Sequence, residues 1–449
     1  MINSINDFSA PKTILVVGYG VSGKSAYNFL QDRGHRALAI DDSSAVGAPH
    51  TMRDAEWKNI DFVVKSPSVP IMRHNRHASV TMANEFQIPV LSTFDIFRIY
   101  NPDAKLIAVT GTNGKSTTTS LIFHILKEMG VSVRMGGNIG IPYFDMGKGE
   151  YYVLEMSSYE LASSSLLDFQ IACVLNIEPD HYEFHGAFEN YISAKHAALD
   201  HSAFKIISFE DRRTMSKYSA SQDAVIVSTS NNPNADMYIH EDALIDRESK
   251  RVLLDFAGIT NLLGRHNRQN IEMAYSVCRR LGASHQEIVR GINSFKPLPH
   301  RMNVIRKIDN VTFVNDSKAT NPSSAAKALA TFVGQEIYWL VGGRSKSVDP
   351  LPYVNDYLTG VRKIYLFGES VDEFEAAFAN RKQTVMCDTM DDALRRAYQD
   401  AGYEHGPAVV LLSPMCSSFD QFKSYEHRGD EFTKAVLELD KRGGNKKAK

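Results

Sequence analysis

The sequence predicts an α/β fold built from three α/β domains in series. Its length of 449 residues exceeds what one hydrophobic core organises, and about 150 residues per domain gives about three domains. Two glycine-rich turns each lie between a short apolar strand and a helix, and the last third again alternates apolar strands with helices. The boundaries we predict are 1–95, 96–299 and 300–449.

Composition excludes several classes of protein. A formal net charge of −2 gives no reason to expect a nucleic-acid partner, and no apolar run approaches the ~20 residues of a membrane span. The cysteines are scattered without the CxxC spacing of a zinc site, which predicts four buried thiols: Cys173, Cys278, Cys387 and Cys416. We therefore expect a cytoplasmic protein in a reducing environment.

The first domain opens with a strand at 13–17 and the turn Gly18-Tyr-Gly20-Val-Ser-Gly23. A second strand ends at Asp41. A GxGxxG turn followed by an acid about 20 residues on is the dinucleotide fingerprint and indicates NAD or FAD. The same turn can accept any diphosphate, and the acid can hold any ribose or uracil donor. Further βα units predict a small parallel, Rossmann-like sheet.

The second domain begins with an apolar strand at 106–109, a polar turn rich in glycine, and a helix that ends at Gly130. This is the layout of a phosphate-binding loop in a P-loop ATPase-like domain with a mostly parallel sheet. Backbone N–H groups surround the phosphates, Lys115 reaches the outer ones, and the Ser116 hydroxyl ligates Mg²⁺. Val109 stands where the common pattern has a glycine, so an ordinary strand–turn–helix connection is the alternative.

Polar side chains follow the next two buried strands. Glu155 ends one strand, and Asn176 and His181 come after another. Carboxyl ends of parallel strands meet at one edge of a sheet, so these groups should lie near the phosphate loop and predict a metal site there. Asn267 and Asn270 share one face of a later helix, where capping is the simpler interpretation.

The third domain is predicted as a second Rossmann-like sheet. Buried strands at 311–315, 337–341, 363–367 and 408–412 alternate with helices. In the second domain, two weaker strands are predicted near 224–228 and 251–256, and the charged stretch between them, rich in Asp and Asn, is interpreted as a surface loop.

Taken together, these motifs resemble the Mur ligases, ATP-dependent amide ligases of peptidoglycan precursor synthesis. The family's loop also lacks the first Walker glycine. The markers cover nearly the whole chain: TGTNGKST (110–117), GGNIG (136–140), LEMSSYEL (154–161), NIEPDH (176–181), YISAK (191–195), LLGRHNRQN (262–270), PHR (299–301), NDSKATNP (315–322) and LLSPMCSSFDQFKSYEHRGDEF (411–432).

Within the family, three features resemble the member that adds D-glutamate. The first domain is compact and carries GYGVSG, the closing motif has the form SPMCSSFDQFKSYEHRG, and the Asp-Asn-Pro-Arg signature of the next ligase is missing. One departure is that Arg344-Ser345-Lys346 follows Gly342-Gly343, where an acid is common.

The resemblance implies a reaction and its substrates. They are UDP-MurNAc-L-Ala, D-glutamate and ATP, with two Mg²⁺ ions as cofactors and a monomeric enzyme. The alanyl carboxylate would attack the γ-phosphate of ATP to give an acyl phosphate, which the D-glutamate amine then converts to an amide through a tetrahedral intermediate.

The resemblance also implies roles for individual residues. The catalytic set is Lys115, Asn138, His181 and Lys195. The ATP-binding set is Gly111, Thr112, Asn113, Gly114, Lys115, Ser116, Thr117, Asn267, Asn270, Arg301 and Asp316. The UDP-substrate set is Gly18, Gly20, Val21, Ser22, Asp41, Asn138 and Ser157. The D-glutamate set is Lys318, Thr320, Lys346, Ser418, Phe419 and Tyr425. The metal ligands are Ser116, Glu155, His181 and Lys195, the last as carbamyl-lysine.

Three alternatives stay open on sequence alone. An NAD-dependent oxidoreductase would explain GYGVSG but leaves the Lys115 loop without a use. A sibling Mur ligase would add a different amino acid. A non-catalytic UDP-sugar-binding sensor should have lost some of the catalytic residues.

Overall fold

A computed structural model describes residues 8–43, 46–50, 56–72, 74–259, 261–262, 264–345, 347–402 and 406–443. The chain divides into two compact units, one within residues 1–259 and 268–295 and the other within 260–267 and 296–449. The first unit holds two sheets and the second holds one. The predicted α/β fold class is confirmed, and one sheet lies within each of the three predicted domains, whereas the domain boundaries stay a prediction.

The first sheet has four parallel strands in the order β2-β1-β3-β4. Its strands are β1 (Thr13–Val17), β2 (Arg36–Ile40), β3 (Phe62–Lys65) and β4 (Val90–Ser92). Its helices are α1 (Val21–Asp32), α2 (Ala78–Glu85) and α3 (Thr93–Tyr100), with a 3-10 turn at Trp57–Asn59. Side chains on both faces of β1 are buried, as expected for a parallel strand covered by helices on both sides.

The second sheet has nine strands in the order β13-β12-β11-β10-β9-β8-β5-β7-β6. Its strands are β5 (Lys105–Thr110), β6 (Val133–Gly137), β7 (Tyr151–Glu155), β8 (Phe169–Val174), β9 (Ser202–Ser208), β10 (Ala224–Ser228), β11 (Met237–His240), β12 (Ala243–Asp246) and β13 (Val252–Asp255). Pairing is parallel from β6 to β11 and antiparallel from β11 to β13.

The helices of the second sheet connect and cover its strands. They are α4 (Lys115–Glu128), α5 (Ser158–Ser163), α6 (Tyr182–His185), α7 (Phe188–Asp200), α8 (Arg212–Tyr218), α9 (Arg265–Arg280) and α10 (His285–Ser294), with 3-10 turns at Tyr143–Asp145 and Phe256–Gly258. Because β5 is flanked by β8 and β7, the loop that follows it lies inside the parallel part of the sheet and not at its edge. That location is where ligands bind in open parallel sheets.

The third sheet has six strands in the order β14-β15-β19-β16-β17-β18. Its strands are β14 (Asn303–Ile308), β15 (Val311–Asn315), β16 (Glu336–Gly342), β17 (Val361–Phe367), β18 (Thr384–Met386) and β19 (Ala408–Met415). Its helices are α11 (Pro322–Thr331), α12 (Leu351–Val354), α13 (Val371–Phe378), α14 (Met390–Ala401) and α15 (Tyr425–Gly443), with a 3-10 segment at Asn355–Gly360. Within the described ranges, β14 pairs antiparallel with β15, and the other neighbouring strands of this sheet pair parallel.

The interpretation of the stretch before residue 251 as a loop is wrong. The structure places β11 and β12 there as a hairpin that turns at Glu241, whose φ is +53°. Each strand has four residues, and in β11 only Met237 and Ile239 are buried. An alternation of buried and exposed residues over four positions does not stand out from the polar turn residues on either side.

The cysteine prediction is confirmed, since all four cysteines are buried and free. Of the helices in the described part of the chain, none is long and apolar enough to cross a membrane.

The fold buries one glutamate whose charge has no local partner. Glu272 on α9 is inaccessible to solvent, and among the described residues neither of its carboxylate oxygens has a hydrogen-bond partner. Burial and the nearby Glu210 carboxylate raise the pKa of Glu272 well above its ordinary value, against a smaller opposing effect of Arg268.

We predict that Glu272→Gln stabilises the protein at pH 8 and not at pH 4. As pH rises, the unfolded chain loses the Glu272 proton first, so wild-type stability falls above the ordinary glutamate pKa. A glutamine side chain has no proton to lose, so it avoids this pH-dependent cost, and the melting temperature should rise by at least about 2 °C at pH 8, which corresponds to a gain of about 1 kcal/mol. Glu128→Gln, at an exposed position on α4, is the control. Equal shifts at both pH values would contradict this account.

Candidate active site

The loop between β5 and α4 is shaped as an anion cradle. Gly114 caps α4 in the left-handed region, with φ +92°, and a Cβ there would lie 2.3 Å from Asn270 Oδ1. Lys115 Nζ donates to the carbonyls of Gly111 and Thr112, both at 3.0 Å, so the side chain folds back over its own loop. The helix N-terminus and this ammonium together favour a bound phosphate.

Residues after β8 hold the cradle in place. The Asn176 amide pairs with the backbone of Asn113, accepting from its N–H at 2.9 Å and donating to its carbonyl at 3.1 Å. The Asn113 side chain in turn donates to Glu178 Oε2 at 3.1 Å, and Thr112 Oγ1 lies 2.9 Å from the Tyr191 hydroxyl. Asn176 therefore orders the loop. Glu178 and Tyr191 have roles that the sequence did not reveal.

Glu155, the last residue of β7, lies 2% exposed beside this loop. Asn138 donates to it twice, from Nδ2 to Oε1 at 2.8 Å and from the backbone N–H to the carbonyl at 2.9 Å. Glu155 Oε2 is buried, and nothing in the described ranges hydrogen-bonds to it. An unsatisfied carboxylate oxygen at this depth suits a hard divalent cation.

Lys195 on α7 is buried beneath the loop, 1% exposed. Its Nζ donates to the Gly111 carbonyl at 2.8 Å and lies 3.4 Å from Thr110 Oγ1. Burial and the Lys115 ammonium hold the pKa of Lys195 well below its ordinary value, against the opposing effect of Asp180 and Glu155. The side chain is therefore disposed to be a neutral amine, whereas its sequence position alone would suggest a solvated lysine.

His181 is held by a cluster of side chains at the same edge of the sheet. Its backbone is left-handed, with φ +55°, and Nδ1 lies 2.7 Å from the Tyr159 hydroxyl and 3.2 Å from Glu183 Oε1. Its ring centroid is 6.1 Å from that of Tyr191, whose hydroxyl contacts the phosphate loop. Tyr159 is thus a further residue that orients the imidazole. It stands inside the LEMSSYEL motif.

The GYGVSG turn of the first sheet leaves the start of α1 open. Among the described residues no side chain caps the helix at Gly20, and at the first two helical positions Val21 is 71% exposed while Ser22 is half-buried. Asp41 accepts from the Tyr19 N–H at 2.6 Å, which ties the turn to the end of β2. The N-terminus of α1 is therefore accessible to an anion, as a diphosphate-binding turn requires.

Two predicted ATP-binding residues lie at the start of the third sheet. Asp316 is buried, with Oδ2 accepting from Ser413 Oγ at 2.9 Å and Oδ1 from the Met302 N–H at 3.2 Å. Burial raises the pKa of Asp316 to about 7, against these hydrogen bonds and the Arg301 charge. Arg301 therefore acts electrostatically on Asp316. Asn267 is buried at the start of α9.

The predicted D-glutamate residues follow β15 and β19 in the third sheet. Lys318 Nζ lies 4.0 Å from the ring centroid of Tyr425, and the Thr320 N–H donates to the Lys318 carbonyl at 2.8 Å. Ser418 is 2% exposed and Phe419 is 63% exposed. Lys346 lies outside the described residues. The structure thus brings Lys318, Thr320 and Tyr425 together.

Comparisons with known proteins agree with this geometry. The family model for the Mur ligase middle domain matches residues 109–278. The model described as "Mur ligase, glutamate ligase domain" matches residues 300–416. A UDP-N-acetylmuramoylalanine--D-glutamate ligase of Caulobacter vibrioides is 36% identical over 96% of this chain and 97% of its own. One of Nitrobacter hamburgensis is 34% identical over 96% and 97%.

The chain belongs to the Mur ligase family. Solved structures share its fold at lower identity. UDP-N-acetylmuramate-alanine ligase MurC of Thermotoga maritima covers 95% of this chain and 99% of its own, with a TM-score of 0.62 and 16% identity. The MurF ligase of the same organism, solved with ADP, covers 98% of this chain and 97% of its own, with a TM-score of 0.61 and 20% identity.

In this Mur ligase, the predicted metal ligands do not form a cluster of acidic side chains. Within the described ranges, no three His, Cys, Asp or Glu side chains are grouped to hold a metal ion. The predicted set contains only Glu155 and His181 of those types, and the others are Ser116 and Lys195. The individual residue roles stay predictions.

Two further contacts in this Mur ligase do not follow from its sequence motifs. Ser157 caps α5 in a capping box, with its hydroxyl donating to Glu160 Oε2 at 2.8 Å, so the predicted substrate role must be compatible with that bond. Lys65, at the end of β3, is 1% exposed and donates to the Val69 carbonyl at 2.9 Å. Burial lowers the pKa of Lys65 to about 7, opposed by Glu160 and Asp95.

We predict that Gly114→Ala weakens ATP binding at least tenfold, a loss of about 1.4 kcal/mol. The added Cβ would collide with Asn270 and distort the phosphate loop. The matched control is Gly130→Ala at the other end of α4. Gly130 also has a positive φ, +78°, but a Cβ there meets nothing within 4 Å. Calorimetric titration with ATP that gives the same affinity for both variants would contradict the prediction.

Proposed function

We propose that this Mur ligase joins D-glutamate to the alanyl carboxyl group of UDP-N-acetylmuramoyl-L-alanine, with ATP converted to ADP and phosphate. The observation that carries the proposal is the convergence of Lys115, Lys195 and Glu155 on one phosphate loop. The names of relatives 34–36% identical over nearly the whole chain supply the choice of substrates. The reaction would take place in the cytoplasm, on a monomer.

A carboxylate does not react with an amine at neutral pH, so it is first activated. The alanyl carboxylate attacks the γ-phosphorus of ATP, forming a C–O–P bond and releasing ADP. Lys115 and the loop N–H groups bind the phosphates and offset their growing negative charge, while Asn138 and His181 position the carboxylate. The D-glutamate amine then adds to the acyl carbon, loses a proton, and phosphate leaves as the amide forms.

The residues at the loop fit bound Mg²⁺. Ser116, Glu155, His181 and a carbamylated Lys195 would hold two ions, with the unsatisfied Glu155 Oε2 as one donor. Bound Mg²⁺ supplies positive charge that neutralises phosphate oxygens. Carbamylation requires a neutral amine, because its lone pair attacks CO₂ and the nitrogen then loses a proton. The buried environment of Lys195 supports that neutral form.

The alternatives are weaker. An oxidoreductase leaves the Lys115 loop unused. A sensor does not require Lys115, Ser116, Glu155, His181 and Lys195 all to be present, as they are here. A sibling ligase would add a different amino acid, and the names of the relatives that are 34–36% identical do not support one.

The proposal predicts phosphate release from ATP, Mg²⁺ and UDP-MurNAc-L-Ala with D-glutamate alone among the amino acids tested. L-Glutamate, meso-diaminopimelate and L-lysine are the comparisons. Turnover with one of these instead would make the protein a sibling ligase. No turnover with any of them, while the UDP-substrate still binds, would favour the sensor.

We predict that Lys195→Ala lowers kcat at least a hundredfold and that added acetate or formate restores part of it. A small carboxylate can occupy the space of the lost carbamate and supply its oxygens. Lys217→Ala is the matched control, because Lys217 is exposed on α8 and paired with Asp200 at 2.9 Å. Full activity of Lys195→Ala without added carboxylate would exclude the carbamate role.

A further inference from the structure

Arg428 on α15 is a fully buried guanidinium that touches three separate loops of the third sheet. Its Nε donates to Ser317 Oγ at 2.9 Å, and Nη2 donates to the carbonyls of Ser317 at 2.8 Å and Cys416 at 3.0 Å. Its Nη1 donates to the carbonyls of Gly342 at 3.3 Å and Ser417 at 3.4 Å. The loops after β15, β16 and β19 are therefore fastened to one side chain.

The charge of Arg428 is not neutralised by an ion pair. All the acceptors that it contacts are carbonyl or hydroxyl oxygens, and in the described part of the chain no carboxylate lies within ion-pair distance of it. Burial lowers the pKa of Arg428 to about 10, opposed by Cys416 and Asp420, so the group stays charged at neutral pH. Burying a positive charge without a counterion lowers the stability of the fold.

The three fastened loops carry the candidate amino-acid-binding residues. Lys318 and Thr320 directly follow Ser317, and Ser418 and Phe419 directly follow Ser417. Gly342 begins the stretch that includes Arg344, whose guanidinium is already paired with Glu369 at 2.9 and 3.0 Å. Arg428 is thus the buried cation to which all three loops are fastened.

We propose that Arg428 is a positioning residue that makes this site selective for an acidic amino acid. It holds the three loops in one arrangement, and its uncompensated charge beneath them favours a substrate whose side chain is a carboxylate. The guanidinium does not need to touch the substrate, since charge acts over several ångströms in a buried site. This inference rests on the proposed function and assigns a role that the sequence motifs did not.

Two substitutions separate the fastening from the charge. Arg428→Lys keeps the charge but loses the planar fork of five donors, and Arg428→Met loses both. We expect Arg428→Lys to raise the KM for D-glutamate at least tenfold, with kcat within threefold and the KM values for ATP and UDP-MurNAc-L-Ala within twofold. Arg428→Met should raise it further and also lower the preference in kcat/KM for D-glutamate over D-glutamine.

The matched controls are Arg396→Lys and Arg396→Met, on α14 of the same unit, where Arg396 is half exposed and paired with Asp392 at 2.9 Å. They should leave every constant unchanged. A KM for D-glutamate that is equal in the Arg428 and Arg396 variants would overturn the proposal. Loss of kcat alone, with unchanged KM and unchanged preference, would also overturn it by reducing Arg428 to a structural residue.

Amide hydrogen exchange provides a readout that does not depend on activity. Arg428→Lys should exchange faster than the Arg396→Lys control at 315–321, 342–345 and 415–418, and equal exchange would overturn the fastening role even if Arg428→Met does not fold. If wild type uses another amino acid, the proposed function fails, and the KM comparison made with that amino acid still tests Arg428. A neutral amino acid as the true substrate would overturn the charge role.

Discussion

Two lysine side chains donate to one backbone carbonyl, and the charge at the phosphate loop depends on which of them stays protonated. The Gly111 oxygen accepts from Lys115 Nζ at 3.0 Å and from Lys195 Nζ at 2.8 Å. Two ammonium groups so close repel each other, and the one that is more deeply buried loses its charge more easily. Under the proposed function, Lys115 is the cation that binds phosphate and Lys195 is the neutral amine. Because β5 lies between β8 and β7, the two lysine side chains can both reach the Gly111 carbonyl that follows it.

Much of the fold could be predicted because its strands are short apolar runs. β5, β8 and β19 are nearly uniform in buried side chains, so their hydrophobicity shows in the sequence without any partner being known. The β11–β12 hairpin could not be predicted in the same way, since only three of its eight strand residues are buried and each strand is too short for alternation to stand out. Its formation depends on pairing with β10, which is a property of the sheet and not of the segment.

The same distinction between local pattern and long-range packing applies to the candidate site. The glycine-rich loop is a local pattern and was predicted from residues alone. The burial of Lys195 and Lys65 was not, because it results from packing between elements far apart in the chain. For Lys195 only the family resemblance pointed to a role, and for Lys65 nothing did. Glu178, Tyr159 and Tyr191 were also missed, since a side chain that orients another leaves no periodic or spacing signal.

The chemistry of the buried cations argues for their different uses. A lysine that loses contact with water can give up its proton, as the lowered pKa values of Lys195 and Lys65 indicate, and it then becomes a nucleophile or a hydrogen-bonding amine. An arginine keeps its proton under the same conditions, and its five donors can bind several carbonyls at once. A site that needs a neutral amine should therefore bury a lysine, and one that needs a lasting positive charge should bury an arginine. Lys195 under the phosphate loop and Arg428 under the loops of the third sheet each follow that rule.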